Sequence, residues 1–140
     1  MTRRGVVMLL HWATLLMVLA MIKGGSAAVG LRWAFVIGGA VWIAMLLRGG
    51  MLGKPGPKLT GFFRQAYPAM HYGMYALICL AVIANAADLL GFGLNALAWN
   101  ALLILFAASI FHALFHLWRH TALNDGALRM MIPKMWHKHL

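Results

Sequence analysis

ALAWNALLILFAASIFHALFHLW, residues 96–118, holds 23 residues and no Lys, Arg, Asp or Glu. As a helix this run is ~35 Å long, enough to cross a hydrocarbon core of ~30 Å. Three comparable runs precede it, at 5–22, 31–47 and 67–87, and their interiors also lack charge. Each is about the ~20 residues a spanning helix needs, the first two at the short end of the ~17–25 range. The chain as a whole is 64% hydrophobic, with a mean hydropathy of +0.82, where soluble domains are nearer half apolar. The expected fold is all-α: a four-helix transmembrane bundle forming one domain over 1–140, with a polar tail at 119–140.

Charge placement sets the expected topology. Arg3 and Arg4 precede the first run; Arg48, Lys54, Lys58 and Arg64 lie between the second and third; Arg119, Arg129, Lys134 and Lys138 follow the fourth. Only Lys23 and Arg32 fall at the first connection, and the third connection carries Asp88 and no base. The positive-inside rule then puts both termini in the cytoplasm. A net charge of +10 distributed this way faces anionic lipid headgroups and offers no exposed stripe for nucleic acid. Met-Thr-Arg-Arg looks like the start of a signal peptide, and Ser26-Ala27-Ala28 like a cleavage site, but His11 and Trp12 interrupt the apolar stretch. The single Cys79 lies mid-helix and reads as an apolar packing residue.

Local signals complete the outline. Lys23-Gly24-Gly25-Ser26 ends the first helix and implies an antiparallel neighbour. Gly38-Gly39 admits either a flat cofactor or a close packing partner. Pro68 suits the first turn of a third helix starting at residue 67. Asn124-Asp125-Gly126 makes a turn. Trp33, Trp99, Trp118, Tyr67 and Tyr72 fall where an interfacial aromatic belt is expected.

The chemistry sits in the histidines. His11, His71 and His112 lie inside three of the apolar runs, each ~6–9 Å from the basic boundary at 1.5 Å per residue. An ionisable side chain at membrane depth marks a functional site by default, and paired imidazoles in a helical bundle suit the axial positions of a haem iron. The bland alternative is hydrogen-bonded packing. His112, His116 and His120 recur every fourth residue along one helix face. Since trans axial ligands approach from opposite sides, His112 and His116 cannot both serve one haem. Zinc is the rival occupant of such a pair, but would want a third ligand and often a carboxylate. His137 and His139 belong to the polar tail. The chain offers no paired carboxylates, no nucleophile–base set and no phosphate loop.

Several of these residues form an ordered pattern: Leu10-His11-Trp12 in helix 1; Ala66, His71 and Tyr75 in helix 3; then His112-Ala113, His120, Asp125, Leu128-Arg129-Met130-Met131 and Pro133. Over most of the chain this resembles the bacterial cytochrome b561 family, four-helix dihaem proteins of the inner membrane. The resemblance implies a haem b near the cytoplasmic side held by His11 and His112. His71 is then a neighbour of the haem or an alternative ligand, and His116, His120 and Arg129 contact a quinone such as ubiquinone, or the haem propionates. The family's second pair of ligands falls at Ala34 and Asn100 here, so the resemblance implies one haem. The function it implies is electron exchange with a membrane quinone or a partner redox protein. Superoxide-oxidising activity, or a place in a larger respiratory or photosynthetic complex, is implied by the resemblance alone. The competing expectation is a haem-free structural or assembly subunit that keeps the fold.

Overall fold

The computed structural model describes residues 2–51 and 53–139; the side chains of Ser26, Trp136, Lys138 and His139 lie outside the described part. Four long helices carry the chain: α1 Arg3–Gly24, α2 Val29–Gly49, α3 Gly61–Leu89 and α4 Asn95–Ala122. All four are long and apolar enough to cross a membrane. Each packs on the next, and α1 also meets α4, so the bundle closes on itself. Outward faces carry Leu9, Leu16, Ile37, Leu47, Ile83 and Phe111, each at least 60% exposed. Bands of large apolar side chains turned outward on every helix fit a lipid environment and not water.

The inward faces follow a seam of threes and fours: Val7, Thr14, Val18 and Met21 in α1, and Arg32, Phe35, Gly39 and Trp42 in α2. Such a seam is what near-antiparallel helices bury. One half of the bundle is a packed apolar core of Val18, Met21, Phe35, Ile78, Ala81, Val82, Ala101, Leu102 and Leu105. At its outer end Arg32 pairs with Asp88 at 2.7 Å and donates to Asn85 at 3.0 Å. There α3 closes with Gly91 at φ 90°, the Gly91 N–H bonding Asp88 O and the Phe92 N–H bonding Ala87 O, the Schellman arrangement that satisfies the last carbonyls.

At the opposite end the N-terminus, the α2–α3 connection and the tail are sewn together. Arg3 donates to the Gly50 carbonyl, Arg4 to the Arg129 carbonyl (both 2.6 Å), and Lys58 to the Asn124 carbonyl (3.1 Å). Trp12 donates from α1 to the Met131 carbonyl at 2.8 Å. The three basic segments of the sequence therefore share one end of the molecule. The expected turn at Asn124-Asp125-Gly126 is present: Asn124 and Gly126 take φ 49° and 69°, and the Ala127 N–H bonds Asp125 Oδ1.

Two expectations change. Helix α3 starts at Gly61, not near 67, because Arg64, Gln65 and Ala66 are good helix formers that apolarity alone passes over. Pro68 consequently sits inside the helix, where it has no N–H to give the Arg64 carbonyl. Tyr67 is not an interfacial belt residue: it is 3% exposed and faces the bundle.

The two glycines at Gly38-Gly39 differ in what they face. A Cβ at Gly39 would strike Val82 Cγ2, whereas one at Gly38 would meet only the flexible Met17 Cε at 3.4 Å. Gly39 is thus a packing glycine against α3. Overpacking costs about 1–3 kcal/mol and a helical Gly→Ala gains about 1. We expect Gly39→Ala to lower the thermal unfolding midpoint in detergent and Gly38→Ala to leave it level or raise it. Equal midpoints for the two variants would refute this assignment.

Candidate functional site

Below the apolar core, toward the basic end, the seam positions change from aliphatic to imidazole. His71 follows Tyr67 by one helical turn on the inward face of α3, and His112, His116 and Arg119 continue the inward face of α4 beyond Leu105. His11 occupies the same level of α1, one turn before the buried Thr14. The four rings gather into one cluster. Ring centres are 6.4 Å apart for His11 and His112, 5.1 Å for His71 and His112, 5.3 Å for His71 and His116, and 4.6 Å for His112 and His116. The three expected to share a depth do so. His116, one turn nearer the basic end on α4, joins them through His71.

Neighbours fix the rings. His71 Nδ1–H donates to the Tyr67 carbonyl at 2.8 Å, so its Nε2 carries the free lone pair. That nitrogen lies 3.3 Å from His116 Nε2. The Tyr67 ring packs on His71 with centres 4.1 Å apart, and the Arg119 guanidinium lies over Tyr67 at 5.0 Å. On the α2 side Trp42 donates to Thr14 Oγ1 at 3.1 Å and meets the Tyr75 ring edge-on. This polar collar holds the cluster between the core and the basic end.

Two nitrogens are left over: His112 Nδ1 and His120 Nδ1 are buried without a hydrogen-bond partner among the described residues. An unsatisfied buried polar atom costs about 1–3 kcal/mol. His112 also lines an outward groove of about 580 Å³ between α3 and α4, with Met70, Met74, Leu77 and Phe111. An all-imidazole cluster, one ring with its tautomer fixed and one with an orphaned nitrogen, has the donor set to hold a metal ion.

The remaining sequence-based site residues fare differently. Arg129 is exposed and is tied in through its backbone carbonyl, which accepts from Arg4; its guanidinium makes no hydrogen bond among the described residues. His137 donates to the Ile132 carbonyl at 2.9 Å. Ala34 and Asn100 both point outward; the interior at their level is filled by their neighbours Phe35 and Ala101, 0% and 2% exposed. Tyr67 and Arg119 were missed as parts of the site. Their signal was spacing: Tyr67 is four residues before His71, and Arg119 is three after His116 and seven after His112.

Compared with models of known protein families, with curated proteins and with solved structures, the chain matches none.

Proposed function

We propose that the protein is a multi-pass membrane b-type cytochrome that binds one haem b between His11 and His112. One observation carries the reading. Their ring centres lie 6.4 Å apart on two different helices, and two imidazoles on opposite sides of one iron, with metal–nitrogen bonds near 2 Å, put their centres about 6 Å apart. The orphaned His112 nitrogen and the all-imidazole donor set support the same reading. Bound there, haem supplies one-electron exchange.

The chain's own residues do the rest. His11 and His112 would hold the haem iron. Thr14, Trp42 and Tyr75, joined by a hydrogen bond and an edge-on ring contact, form a wall at the inner boundary of the site. Phe35, Met21 and Leu105 fill the far half of the bundle, so a second haem has no room there without repacking. His120, with its buried, unpartnered Nδ1, is our choice to hold a proton for a quinone carbonyl. Arg129 is left to propionates or lipid headgroups. The gathered cations at one end support a cytoplasmic position for both termini in a bacterial inner membrane. The electron partner in this reading is a membrane quinone or a second redox protein, within a larger complex or outside one.

The test is haem content per polypeptide in the detergent-purified protein, with a reduced-minus-oxidised spectrum. About one b-type haem per chain is expected. A well-folded sample with none would overturn the reading in favour of a structural or assembly subunit.

A further inference from the structure

Three histidines of the cluster do more than flank an axial pair. His71, His112 and His116 each offer a ring nitrogen, and these nitrogens all lie within 4.8 Å of one another. One edge of the triangle is already at bonding geometry. His71 Nε2 and His116 Nε2 are 3.3 Å apart, and two nitrogens bound tetrahedrally to one ion at 2.0–2.1 Å are separated by ~3.4 Å. The other edges close to that length with ring movements on the order of an ångström, which rotamer-level torsions supply.

The surroundings match a metal ligand set in three respects. Ligating histidines almost always donate their second ring N–H to a carbonyl or carboxylate, which fixes the tautomer and aims the lone pair; the His71 Nδ1–H bond to the Tyr67 carbonyl does this, and aims Nε2 at His116. His112 Nδ1 is buried and has no hydrogen-bond partner among the described residues, so ligation through that nitrogen displaces no existing bond. His112 and His116 stand four apart on one helix, the spacing that puts two imidazoles on the same face, and His71 supplies from a second helix the third ligand that this pair needs.

We propose that the haem-free chain binds one late first-row divalent metal ion of the zinc class at His71, His112 and His116. Three neutral imidazoles leave the ion its full charge and an open fourth position. No carboxylate completes the set among the described residues, because Asp125 is held by Arg119 and Asp88 by Arg32 at the far end. The fourth ligand is therefore hydroxide or another small anion, which lowers the net charge in a low-dielectric setting. His112 serves one partner at a time, so this ion and an iron axial to His112 exclude each other. The site does not depend on the haem reading.

The experiment is a titration of the detergent-purified full chain, produced with and without haem supply, using Co²⁺ as a spectroscopic stand-in for zinc. The haem-free protein is expected to take up one ion per chain with visible d–d absorbance of tetrahedral type. His71→Gln and His116→Gln should each weaken uptake by more than the ~10–100-fold that loss of an outer-shell partner costs, while leaving haem binding in place. His11→Gln should remove haem and leave the ion, and His112→Gln should remove both. The two assignments therefore fail independently. Cobalt uptake unchanged in His71→Gln and His116→Gln, or no uptake by the wild type, would overturn the proposal. X-ray absorption on the wild-type cobalt protein needs no variant: three imidazole ligands are expected, and fewer would overturn it equally.

Discussion

We expect His112→Gln to abolish the b-type absorbance proposed for the purified protein, lowering haem per chain at least ~tenfold, because it would remove one of the two proposed haem ligands. No other histidine substitution should remove both haem and the metal ion. His112 is the centre of the cluster, with ring centres 4.6, 5.1 and 6.4 Å from those of His116, His71 and His11. Glutamine keeps the polarity and roughly the volume, so the loss reports ligation and not a collapsed bundle. His11→Gln should act on haem equally, since an axial pair needs both members. His71→Gln and His116→Gln should leave the haem band in place. The measurement is the reduced-minus-oxidised spectrum, normalised to protein of unchanged helicity and monodispersity. Full haem content in His112→Gln would eliminate the axial assignment. Two haems in the wild type would mean that His71 or His116 also ligates.

The parts of this molecule that can be read along the chain are those set by one-dimensional periodicity. Four uncharged apolar runs give four helices, and counting 1.5 Å steps from the basic boundary brings His11, His71 and His112 to one level. What is hidden depends on rotation about the helix axis and on distant partners. Tyr67 looks interfacial by depth, yet its turn of α3 faces inward, over His71 and under Arg119. His116 looks one step nearer the surface than His112, but α3 leans a histidine against it. Ala34 and Asn100 are one residue, or about 100°, out of phase with the interior, so they lie outside and Phe35 and Ala101 inside. The start of α3 is concealed because Arg64 and Gln65 interrupt the apolar run, while the helical backbone extends about a turn and a half before Tyr67. Ion pairs are the least legible feature. Arg32 and Asp88 read as separate loop charges, but are 56 residues apart in sequence and 2.7 Å apart in space.

The second ion pair carries the largest expected effect on stability. Asp125 Oδ2 accepts from Arg119 Nε at 2.7 Å and Nη2 at 2.6 Å, and the two side chains are only 1% and 5% exposed. Its other oxygen accepts from the Ala127 N–H at 2.9 Å and holds the turn into the tail. Gly56 of the α2–α3 connection backs onto the pair, since a Cβ there would stand 3.0 Å from both Arg119 Nη2 and Asp125 Oδ2. Asp125→Ala leaves a guanidinium buried without its counter-charge, which costs about 3–5 kcal/mol when one partner of a buried pair is removed. We expect a large drop in the detergent unfolding midpoint, together with faster proteolysis of the tail after residue 122, where the turn loses its acceptor. Asp125→Asn keeps an oxygen for the Ala127 N–H and should fall between Asp125→Ala and wild type. The double replacement Arg119→Met with Asp125→Leu discriminates further. It removes both charges and keeps apolar volume, a change that is often neutral or stabilising for a buried pair, so it should recover most of the loss. Recovery of stability without recovery of the histidine cluster is the informative outcome. Arg119 lies 5.0 Å above the Tyr67 ring, which packs on His71, so the double variant should fold firmly while ligand affinity at His71 falls. A wild-type midpoint in Asp125→Ala would show that the pair contributes nothing to the fold, and would detach the tail from the site.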